Sequence, residues 1–260
     1  MKDLTISIVA YKNYEDIMQA VESIEKHTDA SIDKYIYIID NSCYEETDSN
    51  RNVFIEFLTK WKDIEYLDTK ENLGFGKGHN YILNQIDSKY HAIVNPDIIL
   101  LEDSFQKIMK FQKQTQAGIV VPKLVDEDGV MIKAYRREVT VGDMFIRYFC
   151  PGMFQKRKDY HTMDEMDYTV AFDVPFAQGS FLIIDTALLK QLNGFDDRYF
   201  MYMEDADLCK RVNEVSNIKY FPDTTVVHKW ERMSHKSKKL FAIHLKSMYL
   251  YFKKWGFKLL

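Results

Sequence analysis

No stretch of these 260 residues is long and apolar enough to cross a membrane, and the apolar run that opens the chain is too short for a signal peptide. Cysteine is sparse. Cys43, Cys150 and Cys209 show neither C-x-x-C nor metal-type spacing, which speaks against a disulfide framework and fits free thiols in a reducing compartment. An excess of positive charge is missing as well: the formal net charge is -4, whereas a general nucleic-acid binder is usually basic. No internal repeat is visible. What is present is core material, with 46% hydrophobic and 28% charged residues, enough for one large α/β domain with an elaborated C-terminal part. A cytoplasmic protein is expected.

The first half alternates. Residues 4–9 form a short apolar, β-branched run that predicts a buried strand, and Ile17, Ala20, Val21 and Ile24 then recur at helical spacing. Strands are predicted at 35–39, 64–67 and 91–94, a helix at 53–61, a glycine-rich loop at 72–78 and a further helix over 81–86. Such alternation implies right-handed crossovers and a mostly parallel sheet, whose ligands lie beyond the C-terminal strand ends. Tyr11, Asp40, the 72–79 loop and Asp97 all follow predicted strands, so four polar clusters converge on one edge. Further on, a helix is expected at 103–114, strands at 119–121, 174–176 and 181–185, and helices from Thr186 and over 204–215. Residues 136–169 show no periodicity and read as a variable or mobile insertion.

Several clusters carry chemistry, each with a plainer reading beside it. Asp40 at a strand end suits acceptance from the N3–H of a pyrimidine, or simply closes an Asx turn. The glycines at 74, 76 and 78 let amides approach an anion with Lys77 adding charge, or make a flexible loop. Asp97, in Asn95-Pro96-Asp97, offers a hard oxygen ligand for Mg2+ or Mn2+, or a turn and helix cap. His228, after Val226-Val227, completes that metal site or is structural. At 194–209 an aromatic and methionine-rich stretch runs into Glu204, Asp205 and Asp207, where an apolar wall can raise a carboxylate's pKa toward general-base work. The plain alternative is an acidic helix start with its aromatics in the core.

In order and spacing, residues 72–80, the Asn95-Pro96-Asp97 variant of a D-x-D motif, 179–183 and 194–209 resemble family-2 glycosyltransferases of the GT-A fold. The branch they are most similar to comprises rhamnosyltransferases of surface-polysaccharide assembly. The likeness runs from about residue 4 to 246 and is weakest over 136–169. It implies a Rossmann-like, mostly parallel sheet flanked by helices, with a nucleotide-binding half over about 1–100, an acceptor-binding and catalytic half over about 101–235, and a tail over 236–260.

It also implies roles. Asp40 would read the pyrimidine ring, and Ala10, Tyr11, Asn72, Gly76, Lys77, Asn80 and Asn95 would line the nucleotide sugar. Gln178 and Gly179 would lie near the donor sugar or acceptor. Asp97, with His228, would hold a divalent cation, Mg2+ or Mn2+, on the diphosphate. Asp205 would be the catalytic base, with Glu204 beside it and Asp207 supporting. The reaction implied is inverting transfer from a nucleotide diphosphate sugar, best dTDP-rhamnose, to a hydroxyl of a lipid-linked saccharide; UDP-hexose or UDP-N-acetylhexosamine is the alternative donor. One departure matters: Asn95 replaces the first acid of D-x-D, which lowers the negative charge at the metal and suits a deoxyribose donor.

The tail has no acid after Glu231, while Lys236, Lys238, Lys239, Lys246, Lys253, Lys254 and Lys258 interleave with Leu240, Ile243, Leu245, Tyr249, Phe252 and Trp255. It predicts either a basic amphipathic helix on the inner face of the cell membrane or a helix packed on the catalytic domain. A nucleotidyltransferase would carry a glycine-rich basic loop after the first strand, where Ala10-Tyr11-Lys12-Asn13 stands instead. A non-catalytic carbohydrate-binding scaffold would not need Asp97, Glu204 and Asp205. No nucleic-acid partner is expected, and the oligomeric state, a homodimer included, stays open.

Overall fold

The computed structural model describes residues 1–45, 47–150, 152–229 and 238–259. In chain order the first half comprises β1 (Lys2–Ala10), α1 (Tyr14–His27), β2 (Lys34–Asp40), α2 (Ser49–Leu58), β3 (Ile64–Asp68), α3 (Phe75–Asn80), β4 (Ser88–Val94), β5 (Ile98–Leu100) and α4 (Ser104–Thr115). The second half comprises β6 (Ile119–Val125), β7 (Tyr135–Arg136), α5 (Val141–Phe149), α6 (Gln155–His161), β8 (Phe172–Asp173), β9 (Phe176–Ala177), β10 (Phe181–Asp185), α7 (Thr186–Gln191), α8 (Glu204–Asn213), β11 (Ile218–His228) and α9 (Lys238–Trp255).

The main sheet runs β3-β2-β1-β4-β10-β6-β11-β5, with β8 added to β11 and a separate β7-β9 ribbon. β1, β2, β3 and β4 are mutually parallel, so Ala10 and Asp40 end in register at one edge. β10 runs antiparallel to both β4 and β6, while β11 is parallel to β6. Apolar side chains from both faces of β1, β2, β4 and β10 make one continuous core with the inner face of α1. Helix starts are fixed by side chains: Asp48, Asp103, Thr140 and Asp185 each accept from an amide three residues on.

Under this edge runs a buried hydrogen-bond chain. Ser88 donates to the carbonyl of Tyr90, so its oxygen can only accept from Thr5 at 2.7 Å. Thr5 then accepts from Nδ1 of His91 at 2.8 Å, Nε2 of His91 accepts from Ser7 at 2.9 Å, and Ser7 accepts from Nδ1 of His79 at 2.7 Å. One committed proton therefore orients every link and sets the tautomer of both neutral histidines. Burial drives both imidazoles down to about 3.

Three expectations are corrected. Residues 81–86 turn irregularly instead of forming a helix, with main-chain bonds from Leu83 to Asn80 and from Gln85 to Ile82 closing single turns. The strand expected at 174–176 is replaced by β8 and β9, each only two residues long. The 136–169 segment contains two helices, α5 and α6, tied by buried Asp143, whose carboxylate takes a two-pronged bond from Arg157 at 2.6 and 2.9 Å.

The C-terminal helix packs. Tyr251 and Phe252 join Val139, Met144, Tyr199, Met203 and Ala206 in a second apolar cluster, each large side chain contributing about 1.5–3 kcal/mol. Asp207, fully buried, binds the other end of the contact: it faces Lys254 at 2.7 Å, the Trp255 indole at 2.8 Å and Arg211 at 2.8 Å. The expected packing is thus present, and the outward face of α9 still carries Lys239, Lys246 and Tyr249. Lys236 lies outside the described residues.

Candidate active site

A cavity of about 350 Å³ opens beside the start of α8 and brings together Asn95, Gln178, Gly179, Glu204 and Asp205. Its position follows from the chain. Asn95 is set by its amide bonding to the Ser180 carbonyl at 2.8 Å, which joins the end of β4 to the start of β10. Gly179 lies just before β10, and its amide donates to Oδ2 of Asp205 at 3.2 Å; a Cβ there would meet Phe75 and Asp205 at 3.3 Å. Oδ1 of Asp205 accepts from the Ala206 amide at 2.8 Å. Two consecutive non-glycine residues, Tyr202 and Met203, hold left-handed backbone immediately before Glu204, an arrangement that needs compensation by the surroundings.

The two carboxyls differ. Glu204 is buried beside Gly76; burial, then the charge of Asp205, pushes it up to about 8, so it is protonated at neutral pH. Asp205 is also pushed up, mainly by burial, but the amides of Gly179 and Ala206 favour its ionised form. A neutral acid beside a raised, amide-held carboxylate is a pairing able to accept a proton from a bound hydroxyl.

Asp97 and His228 meet at the neighbouring strand ends. β11 pairs antiparallel with β5 in the register His228 to Ile98, which leaves His228 Nε2 3.2 Å from Asp97 Oδ2. One oxygen and one nitrogen donor suit a hard divalent cation that draws its remaining ligands from a diphosphate and water. Among the described residues no cluster of three or more His, Cys, Asp or Glu forms. The pair therefore fits a cation held largely by its substrate.

Other expected residues are placed differently. Asp40 is 2% exposed and its carboxylate is already engaged, by Tyr14 at 2.5 Å, Tyr66 at 2.6 Å and the Ser42 amide at 2.9 Å. The last bond is the Asx turn, so reading a pyrimidine there requires a tyrosine hydroxyl to give way. The glycine-rich segment is neither a flexible loop nor an open anion cradle: its glycines admit close packing. A Cβ on Gly76 would lie 2.9 Å from Cβ of Phe195, and one on Gly74 would lie 1.9 Å from the Phe200 carbonyl. Asn72 caps the Gly74 amide at 3.0 Å, and Asn80 bridges to both the Phe195 main chain and Asp197. These are packing and bridging contacts within the protein. Lys77 and Tyr11 remain exposed at the strand edge, and Ala10 is buried beneath it.

The cavity also contains four residues that no motif marked, Arg136, Arg147, His161 and His244, together with Tyr202 from the 194–209 stretch. Tyr202 stacks on His244 at 4.6 Å, whereas Tyr199 is in the core, so the aromatic run both fills and lines. Asp207 supports by anchoring α9, away from the cavity.

Known proteins share this build. Agl10 of Haloferax volcanii, a low-salt glycan biosynthesis hexosyltransferase, is 23% identical over 219 residues, covering 81% of this chain and 62% of its own length. The N-acetylglucosaminyl-diphospho-decaprenol L-rhamnosyltransferase of Mycobacterium tuberculosis is 26% identical over 212 residues, covering 75% of this chain and 68% of its own. This chain thus spans just under two thirds of the first relative and just over two thirds of the second. The mannosyltransferase PcManGT from Pyrobaculum calidifontis, solved with GDP-Man and Mn2+, superposes with a TM-score of 0.66 at 14% identity, covering 97% of this chain and 66% of that one. The shared fold is the expected GT-A fold. Residues 5–192 match the family described as glycosyl transferase family 2, and this chain belongs to that family.

Proposed function

We propose that this chain is an inverting glycosyltransferase that moves a sugar from a nucleotide diphosphate to a hydroxyl of a lipid-linked saccharide in cell-surface polysaccharide synthesis. The observation that carries the reading is the cavity in which Asp205, raised by burial and held by the Gly179 amide, faces Asn95 and Gln178, with the Asp97–His228 pair at the adjoining strand ends.

Asp205 takes the proton of the acceptor hydroxyl as that oxygen bonds to the anomeric carbon. The bond from that carbon to the diphosphate oxygen breaks on the opposite face, and its electron pair leaves with the nucleotide diphosphate. Glu204, protonated, adds no second negative charge beside the base. Lys77 reaches the donor phosphates from the exposed strand edge, and Tyr11 covers the nucleoside. Asp97 and His228 would hold a divalent cation, which would supply positive charge for the leaving diphosphate. Holding hydroxyl, base and anomeric carbon in line supplies much of the rate gain.

For the donor we take dTDP-rhamnose first, supported by the likeness to a rhamnosyltransferase and by the neutral Asn95. A UDP-hexose or UDP-N-acetylhexosamine is the second reading, supported by the likeness to a hexosyltransferase. The outward, lysine-bearing face of α9 lies against an anionic membrane surface from the cytoplasmic side. Liposome co-sedimentation of the intact and tail-deleted chains tests that contact, and equal binding by both ends it. Calorimetric titration with UDP- and dTDP-sugars, with and without Mn2+ or Mg2+, tests the function. Metal-dependent binding of one donor supports it, and no binding to any nucleotide sugar by folded protein overturns it in favour of a carbohydrate-binding scaffold.

A further inference from the structure

α5 and α9 lie side by side and antiparallel. Tyr148, in the last turn of α5, meets Phe241 edge-on at 5.3 Å and bonds to Nδ1 of His244, both in the first half of α9. At the other end the amides of Val141 and Gly142 donate to the carbonyls of Lys258 and Leu259, each at 2.9 Å. Seen end-on, two antiparallel right-handed helices wind in mirrored senses, so the residue after a contact position lies on the same side of the pair in both. Phe145 and Phe149 follow Met144 and Tyr148 on α5; Leu245 and Tyr249 follow His244 and Met248 on α9. These four share one face, and all are exposed, Phe145 and Phe149 by 56% and 65%. Met153 and Phe154, beyond the end of α5, are exposed too. Arg147, two residues and roughly 200° round the helix from Phe145, lines the cavity, so the apolar face points away from it.

The charge around this face has one sign. Lys239, Lys246 and Lys253 recur along the outer side of α9, and Lys156 is exposed in α6. No acid occurs from residue 238 to the end, and the one acid over 141–158, Asp143, is buried against Arg157. The chain as a whole carries -4, so this basic border is local. A gathering of large exposed apolar side chains marks an interaction surface. Two-fold pairing of copies through it would set lysine against lysine with no carboxylate between them. An anionic bilayer supplies phosphate for the lysines and acyl chains for the rings.

We propose that the α5–α9 pair docks the protein on an anionic bilayer, with Phe145 and Phe149 of α5 as the inserting side chains and the α9 lysines as their electrostatic partners. This goes beyond the α9 contact proposed above and rests on it: α9 supplies attraction and α5 the anchor. In that pose the cavity stands about one helix diameter, roughly 10–12 Å, off the lipid, and an acceptor hydroxyl must project that far.

The test is co-sedimentation of the full chain with vesicles of equal parts phosphatidylcholine and phosphatidylserine, against phosphatidylcholine alone. Binding to the mixed vesicles is expected, and at least about tenfold less to the neutral ones. Phe145→Ser with Phe149→Ser is expected to weaken mixed-vesicle binding at least about tenfold, with thermal melt and UDP affinity unchanged because both side chains lie in solvent. Phe149→Trp adds a reporter whose emission is expected to shift to the blue on mixed vesicles, beyond any shift of the unaltered chain. Undiminished binding by the serine variant would overturn the inference, as would no added shift from Phe149→Trp or equal binding to neutral vesicles. So would a dimer on gel filtration that the serine variant breaks, which gives the face to a second copy. Failure of the α9 contact shows differently, as undiminished binding by Lys246→Gln with Lys253→Gln. Failure of the transferase reading shows as absent nucleotide-sugar binding, with or without vesicles.

Discussion

The main-chain amide of Gly179 donates to Oδ2 of Asp205 across 3.2 Å, so the turn before β10 aims the first residues of α8 into the cavity. An amide keeps that oxygen oriented without neutralising it, and burial keeps the carboxylate basic. Asp205→Asn preserves shape and hydrogen bonding while removing the proton acceptor. Turnover is expected to fall about 10²–10⁴-fold with nucleotide-sugar binding unchanged by calorimetry. Near-normal turnover would move the base elsewhere.

Asp97 and His228 sit 3.2 Å apart because β5 and β11 pair in one register. Asp97→Ala and His228→Ala should each abolish the gain in donor affinity on adding Mn2+, leaving weak metal-independent binding. Donor titrations with and without the ion read this directly, and an undiminished Mn2+ effect in both variants would exclude the pair.

Stability should peak near pH 6.5. His79 and His91 are held neutral, down to about 3 from the ordinary 6.5, so the unfolded chain binds more protons below 6.5 and stability is lost as pH falls. Glu204 is held protonated, up to about 8 from 4.5, so the folded chain binds the extra proton and stability is lost as pH rises toward 8. Each group sets a slope of at most about 1.4 kcal/mol per pH unit. Thermal melts of Glu204→Gln should show a steeper acid limb above pH 4.5 and a flatter fall between pH 6.5 and 8. An unchanged alkaline limb would show that Glu204 titrates normally.

Gly74→Ala and Gly129→Ala separate backbone strain from packing. Both glycines have positive φ, +80° and +79°, but a Cβ at Gly129 meets nothing within 4 Å, whereas one at Gly74 meets the Phe200 carbonyl at 1.9 Å. Gly129→Ala should cost about 1 kcal/mol in urea unfolding. Gly74→Ala should cost roughly 1–3 kcal/mol more. Equal losses would mean that the 72–80 segment moves aside freely.

The sequence made the β1–β4 half legible because buried parallel strands are contiguous apolar runs that stop at polar residues, as at Asp40 and Asn95. The Asp97–His228 meeting was legible too, since strand-end positions converge in such sheets. The work of the glycines was not. Spacing alone cannot distinguish an amide waiting for an anion from one pressed against Phe195 and Phe200, more than a hundred positions downstream. Arg136 and Arg147 were hidden for another reason. β7 is two residues long and α5 nine, too short for a period to show, and α5 leaves large apolar side chains in solvent, which blurs any face.

Asp207 stands two residues beyond Asp205 on α8 and grips Lys254 and Trp255 in the last turn of α9. No loop intervenes between the proposed proton acceptor and the group that clasps the C-terminal helix. The two helices are therefore joined through less than a single helical turn of α8, and a shift of α9 would meet no loop able to absorb it before Asp205.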